Sequence, residues 1–240
     1  MDPFQLKYGD TTIPVDLSAA KSVRVLQGTP PQEIEDLPNA FLHAVEDECI
    51  ESRPLRELIG AEDEVTIVIS DITRYWMRQD KICDLLVAYL MDTIGLLAEQ
   101  IIILVALGTH RPMTEEELEK LAGSRVYHTV RVVNHDCEAP DLKYLGLTSR
   151  GTQVFVNPLV CDRKVILIGG TVHHLMSGFG GGRKSILPGV SAKSTIVQNH
   201  LMCLDPLEPH SHELIGMRKL KDNPVHEDMI EAAQFVDPVF

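Results

Sequence analysis

Three short apolar runs restrict this chain to few architectures. Glu64-Val-Thr-Ile-Val-Ile-Ser70, Gln100-Ile-Ile-Ile-Leu-Val-Ala106 and Lys164-Val-Ile-Leu-Ile-Gly169 are almost unbroken stretches of β-branched and aliphatic residues. A strand wet on one face alternates polar with apolar, whereas a run of this kind is covered on both faces. Helical patterns lie between the runs. From about Gln79 to Met91, Ile82, Leu85, Leu86, Tyr89 and Leu90 fall on one face. Thr114-Glu-Glu-Glu117 is a capping box at the head of a helix ending near Gly123. Tyr127 to Val133 and Thr152 to Val156 read as further strands, Ser191 to Met202 and His226 to Gln234 as further helices. The predicted fold class is therefore α/β, a mostly parallel sheet flanked by helices. The 240 residues, 44% of them hydrophobic, suffice for one large domain or for one domain and part of another. The apolar ending Val236-Asp-Pro-Val-Phe240 predicts that a strand follows, so the chain is expected to be truncated at its C-terminus.

Charge and cysteine usage exclude several function classes. A formal net charge of −13 argues against a nucleic-acid partner, since phosphate backbones are gripped by clustered Lys and Arg. No window offers the 18 or more apolar residues of a membrane span, and Met1-Asp2-Pro3-Phe4 carries no signal-peptide pattern. The five cysteines are scattered, odd in number and never paired as Cys-x-x-Cys. Structural thiols in a reduced, cytoplasmic protein are the expectation, and not a zinc site.

Ligands of an open parallel sheet bind beyond the carboxyl ends of its strands. Each predicted strand end here delivers chemically able residues: Ser70-Asp71-Ile72-Thr73-Arg74, then Leu107-Gly108-Thr109-His110-Arg111, then Gly169-Gly170-Thr171-Val172-His173-His174. The last exit leads into Gly178-Phe-Gly-Gly-Gly-Arg-Lys-Ser-Ile-Leu-Pro-Gly189. Glycines this dense serve positive φ or close backbone approach. Lys184 beside bare amides suits a phosphate or a covalent bond to a carbonyl-type carbon. His110 and His174 suit opposed acid/base roles because imidazole titrates near neutrality, with His173 the bystander of its pair. Arg74 suits a carboxylate or phosphate, although an Asp71–Arg74 surface pair is an alternative. His200, near a helix end, fits either a C-terminal cap or a metal ligand. A Walker loop is disfavoured because Arg183 separates Gly182 from Lys184.

Taken together, Asp71-x-Thr-Arg74, Gly108-Thr-His110-Arg111, the His174 to Pro188-Gly189 segment and Asn199-His200 resemble the nickel-dependent lactate racemase family. The resemblance runs from about residue 10 to residue 235. It implies a two-domain α/β enzyme with residues 1–240 as the N-terminal, cofactor-binding and catalytic domain, the C-terminal domain being absent. It implies nickel, carried by the nickel pincer nucleotide (pyridinium-3,5-bisthiocarboxylic acid mononucleotide) bound covalently through Lys184. On that reading His200 is the metal ligand, His110 and His174 are the catalytic pair, and Asp71, Ile72, Thr73 and Arg74 line the cofactor pocket. The activity implied is racemisation or epimerisation of a 2-hydroxy acid, with cofactor-synthesis proteins and the missing domain as partners. Tyr75-Trp76-Met77, where the family commonly has proline and small residues, would reshape the pocket. Two other readings of the same residues are a non-catalytic cofactor-binding module and a phosphate-binding enzyme using the Gly178–Ser185 loop.

Overall fold

The computed structural model describes residues 4–29 and 32–240; Met1, Asp2 and Pro3, part of the segment read above for a signal peptide, lie outside them. The chain divides into two units, residues 1–36 and 37–240. The first holds an antiparallel hairpin, β1 (Phe4–Tyr8) with β2 (Thr11–Val15).

The second unit is built on four parallel strands: β3 (Val65–Ser70), β4 (Ile101–Ala106), β5 (Arg131–Asn134) and, after a separate antiparallel hairpin of β6 (Lys143–Leu147) with β7 (Gln153–Val156), β8 (Lys164–Leu167). Their order is β5-β4-β3-β8, with Ile67 opposite Ile103 on one side and Ile166 on the other. A two-residue hairpin pairs β9 (His173–His174) with β10 (Gly178–Phe179). The helices are α1 (Leu37–Leu42), α2 (Leu55–Leu58), α3 (Gln79–Tyr89), α4 (Glu115–Ala122), α5 (Ser124–Tyr127), α6 (Lys193–Leu201) and α7 (Pro224–Val236).

The sheet explains the unbroken apolar runs. Val65, Ile67, Ile69, Ile101, Ile103 and Val105 face a core shared with Cys83, Leu86 and Val87 of α3 and Leu118 and Leu121 of α4. Val68, Leu104 and Val165 face the opposite core, with Ile196 of α6 and Val225 and Met229 of α7. Both faces are dry, so both sets of side chains are apolar. Thr66 is the polar exception, and its hydroxyl donates to the Leu159 carbonyl at 2.6 Å.

Several boundaries differ from the sequence reading. The capping box forms as expected, with Thr114 Oγ1 accepting from Glu117 N–H, and Gly123 closes α4. Gly123 then opens α5, so Ser124–Tyr127 is a helical turn that buries Val126, and the strand begins only at Arg131. On α3 the buried stripe runs through Cys83, Leu86, Val87 and Leu90, while Ile82 and Leu85 are half-buried beside it. Thr152 to Val156 is a strand, but in the hairpin rather than in the central sheet. At the chain's end, Val239 N–H donates to Val165 O and Phe240 O accepts from Leu167 N–H, both at 2.9 Å, so the last residues run along β8. Among the described residues no helix is long and apolar enough to cross a membrane, and all five cysteines are free thiols.

Leu104 is fully buried in the second core. Leu104→Ala is expected to lower the unfolding free energy by about 2–5 kcal/mol through lost burial and an unfilled cavity, read as the shift in urea midpoint at constant m-value.

Candidate active site

The carboxyl ends of β3, β4 and β8 open onto one cavity of about 300 Å3. Asp71, Arg74, Gly108, His110, His174, Lys184 and His200 all line it. The three strand exits therefore meet, and the glycine loop and α6 complete the wall. Ile72 and Thr73 are not lining residues: Ile72 packs against the first core, and Thr73 is exposed.

The Asp71 exit forms a short 3-10 helix, Ile72–Met77, capped by the Asp71 side chain. Asp71 is 3% exposed. Its Oδ1 accepts from Thr73 N–H at 3.0 Å and from Thr73 Oγ1 at 2.5 Å, and its Oδ2 accepts from His110 Nδ1. Arg74 Nη1 in turn donates to Thr73 Oγ1 at 2.9 Å. The surface Asp71–Arg74 pair considered above does not form; Thr73 connects the two residues, and Asp71 is committed to His110. A carboxylate can only accept, so His110 carries a proton on Nδ1, an arrangement that in the neutral ring leaves the lone pair on Nε2. The imidazole itself stands at the mouth of the cavity, half exposed.

His174 is set the opposite way. Its Nδ1 accepts from the backbone N–H groups of Met176 and Ser177, each at 3.2 Å. A neutral ring whose Nδ1 accepts carries its proton on Nε2. That nitrogen faces Lys184 Nζ at 3.0 Å. Burial, followed by Lys184, His200, Arg74 and Arg183, pushes the His174 pKa down to about 4, so the ring is neutral at physiological pH. Burial, then Arg183 and Arg74, lowers the Lys184 amine to about 8. His173, by contrast, is exposed and lies against the Phe179 ring.

The glycine loop is shaped by backbone needs. Gly181 has φ +75°, in the region that favours glycine. At Gly189 a Cβ would collide with the Ser185 carbonyl, and the Gly189 carbonyl accepts from Gly108 N–H at 2.9 Å, tying this loop to the β4 exit. Arg183 points into the loop itself, its guanidinium donating to the carbonyls of Ser177 at 2.8 Å and Phe179 at 2.9 Å. It is a staple, and Lys184 is the residue left to face the cavity.

His200 lies in the last turn of α6. Its Nδ1 bonds the Ile196 carbonyl at 3.0 Å, which leaves the Nε2 lone pair available. Burial, then Lys184, lowers its pKa. Asn199 beside it is fully buried, its Nδ2 donating to Val225 O at 3.1 Å and Asp228 Oδ2 at 2.9 Å. Asp228 also accepts from Thr148 at 2.6 Å and Thr152 at 2.9 Å. This buried network fixes α6 against α7 and so sets where His200 stands. Asp228 was invisible as a site-supporting residue in the sequence, where the one signal was the Asn199-His200 adjacency. Of the Tyr75-Trp76-Met77 trio only Met77 supplies cavity wall, Tyr75 packing against the first core and Trp76 being exposed; Ile196, also apolar wall, was not foreseen. His210 and His212 lie away from the cavity, and among the described residues no three His, Cys, Asp or Glu side chains are grouped to hold a metal.

Comparison with known proteins identifies the family to which this fold belongs. The family described as "Lactate racemase N-terminal domain" matches residues 8–211. The chain is 31% identical over 195 residues to a lactate racemase of Lactiplantibacillus plantarum, covering 78% of this chain and 43% of that protein. It is 28% identical to a lactate racemase of Thermoanaerobacterium thermosaccharolyticum, covering 80% of this chain and again 43% of the relative. This chain thus spans less than half the length of the curated relatives it matches. The apoprotein structure of the T. thermosaccharolyticum lactate racemase has the same fold, with a TM-score of 0.74 at 24% identity over 98% of this chain and 54% of that one. A Thermotoga maritima protein superposes with a TM-score of 0.61 at 26% identity, over 88% of this chain and 49% of its own.

The depressed His174 value has a signed consequence. Between the ordinary 6.5 and about 4 the unfolded chain binds a proton that the folded chain does not. Stability is therefore expected to fall as pH drops through that window. Urea midpoints between pH 7 and pH 4 should decline less steeply in His174→Asn than in the wild-type chain.

Proposed function

The chain belongs to the lactate racemase N-terminal domain family, and on that premise we propose that it is the cofactor-bearing domain of a racemase or epimerase of 2-hydroxy acids. The observation that carries this reading is the opposite setting of two imidazoles in one cationic cavity. His110 presents an acceptor at Nε2 and His174 a donor at Nε2, and Lys184 stands beside His174.

The residues present fit the nickel pincer nucleotide that the resemblance implies. His200 offers one neutral imidazole nitrogen, its other nitrogen fixed by a backbone carbonyl as metal-binding histidines commonly are. With no group of three His, Cys, Asp or Glu side chains to hold a metal among the described residues, a metal held at His200 would draw most of its donors from the group that carries it. Sulfur and carbon donors beside one imidazole suit nickel's preference for square-planar ligation. Lys184, an amine of lowered basicity, suits attachment through a thioamide. Arg74 supplies a fork for a phosphate or a carboxylate.

A 2-hydroxy acid has a poorly acidic C2–H, and the bound cofactor would supply a hydride acceptor and donor that avoids a carbanion at C2. The chain's own residues would do the rest. Arg74 orients the substrate carboxylate. His110 Nε2 takes the hydroxyl proton of one enantiomer, with the Asp71 carboxylate stabilising the imidazolium that forms. The 2-keto acid is planar at C2, so either face can be restored once it reorients. Were Lys184 held in a thioamide, its nitrogen would no longer accept from His174, and the His174 Nε2–H would face the oxygen on the other side as a donor. Proposed partners are the remaining half of the racemase and the proteins that synthesise the cofactor. Free thiols throughout are consistent with a reduced, cytoplasmic setting.

The test is coexpression with a cofactor-synthesis pathway, read by intact mass and nickel content. His200→Ala should keep a Lys184 adduct while losing nickel; undiminished nickel would contradict its role as ligand. With the second domain joined, His110→Ala should bind cofactor and racemise on the order of 100- to 10,000-fold more slowly.

A further inference from the structure

Lys184 is placed for chemistry that requires neither nickel nor a second domain. Its Nζ lies 3.0 Å from His174 Nε2, the nitrogen that carries the imidazole proton because Nδ1 is taken by two backbone N–H groups. An ammonium has three donors and no acceptor, so it has nothing to offer that proton. The contact suits the free-amine form of Lys184, whose nitrogen can accept from His174 and which becomes the major form above about pH 8. The groups around the amine agree. Arg74, Arg183, His174 and His200 all act on it or are acted on by it electrostatically, and none is an acid. Among the described residues Asp71 is the sole carboxylate lining the cavity, and it is engaged by His110 and Thr73. Lys184 therefore lacks the counter-ion that keeps most lysines charged.

We propose that, before any cofactor is attached, Lys184 captures small 2-oxo carboxylates as imines, with Arg74 receiving the carboxylate. The amine lone pair attacks the carbonyl carbon, and the C–O π pair moves to oxygen, which takes a proton from His174 Nε2 or water. The carbinolamine then loses that oxygen as water together with the amine hydrogens, leaving a C=N bond. No oxidant or reductant is consumed, and the proton lent by His174 returns to it. The class of ligand follows from the lining: a carbonyl for the amine, an anion for the guanidinium, and a molecule small enough for a cavity of about 300 Å3. A bound 2-oxo acid would also occupy the amine, so it would compete reversibly with cofactor attachment.

The experiment uses the purified chain made without a cofactor-synthesis pathway. It is incubated with pyruvate or with acetone, a neutral ketone, and cyanoborohydride; reduced adducts are then located by peptide mass spectrometry. The expected result is one adduct at Lys184, formed at least about tenfold faster with pyruvate than with acetone, and rising in rate with a midpoint near pH 8. Compared well above the titration midpoint, where the amine is free in both chains, Arg74→Ala should reduce capture of pyruvate but not of acetone. His174→Ala should move the pH midpoint upward. Lys184→Arg, with its fold verified by circular dichroism, should give no adduct at that position. Labelling spread over exposed lysines and unchanged in Lys184→Arg would overturn the proposal, as would equal capture of pyruvate and acetone.

Discussion

Parallel pairing of β3 with both β4 and β8 is the constraint from which the rest of this structure follows. Three strands that run the same way must end on the same edge. Their side chains are buried on both faces, so no chemistry can be mounted on the sheet itself. Everything reactive is pushed to the exits, where Asp71, His110 and the loop bearing His174 and Lys184 leave the sheet within reach of one cavity. The tie from Gly108 N–H to the Gly189 carbonyl then joins the β4 exit to the glycine loop directly.

A second layer of control lies in hydrogen bonds too small to see in a sequence. The two imidazoles are chemically identical, yet one is held by a carboxylate and the other by two backbone amides. That difference leaves a lone pair on one ring and a proton on the other at the same ring position. Charge follows the same logic. A chain with a net charge of −13 presents Arg74 and Lys184 to its cavity, and the one lining carboxylate among the described residues, Asp71, is engaged by His110 and Thr73. Low local counter-charge and burial together lower the basicity of Lys184, which is what a nucleophilic lysine needs.

Much of this was legible in the residues alone. The apolar runs marked three of the four sheet strands, because a doubly covered strand leaves no polar positions to confuse the pattern. The strand exits marked the cavity, because residues placed independently on three loops all carried polar chemistry. Less was legible where a local signal was overridden. Gly123 ends one helix and opens another, so α5 fills Ser124–Tyr127, between the helix read as ending near Gly123 and the strand read from Tyr127. Lys143–Leu147 is short, interrupted by Gly146 at a register shift and largely exposed in a two-stranded hairpin, so no buried alternation marks it as a strand. The Asp71–His110 contact joins the loops that leave two adjacent strands, and no spacing rule links them. Asp228 supports His200 only through Asn199 and the packing of α7 on α6, a tertiary relation with no sequence trace.

His110 and His174 are set as opposite neutral tautomers, one with a bare Nε2 and one whose Nε2–H faces the Lys184 amine. Long-range proton–nitrogen NMR correlations of the imidazole rings at about pH 8, where the Lys184 amine is half titrated, test this assignment directly. The account predicts a protonated Nδ1 and bare Nε2 for His110, and the reverse for His174, each assigned with His→Gln variants. The same tautomer at both positions, or a His174 that titrates near its ordinary 6.5, would contradict it.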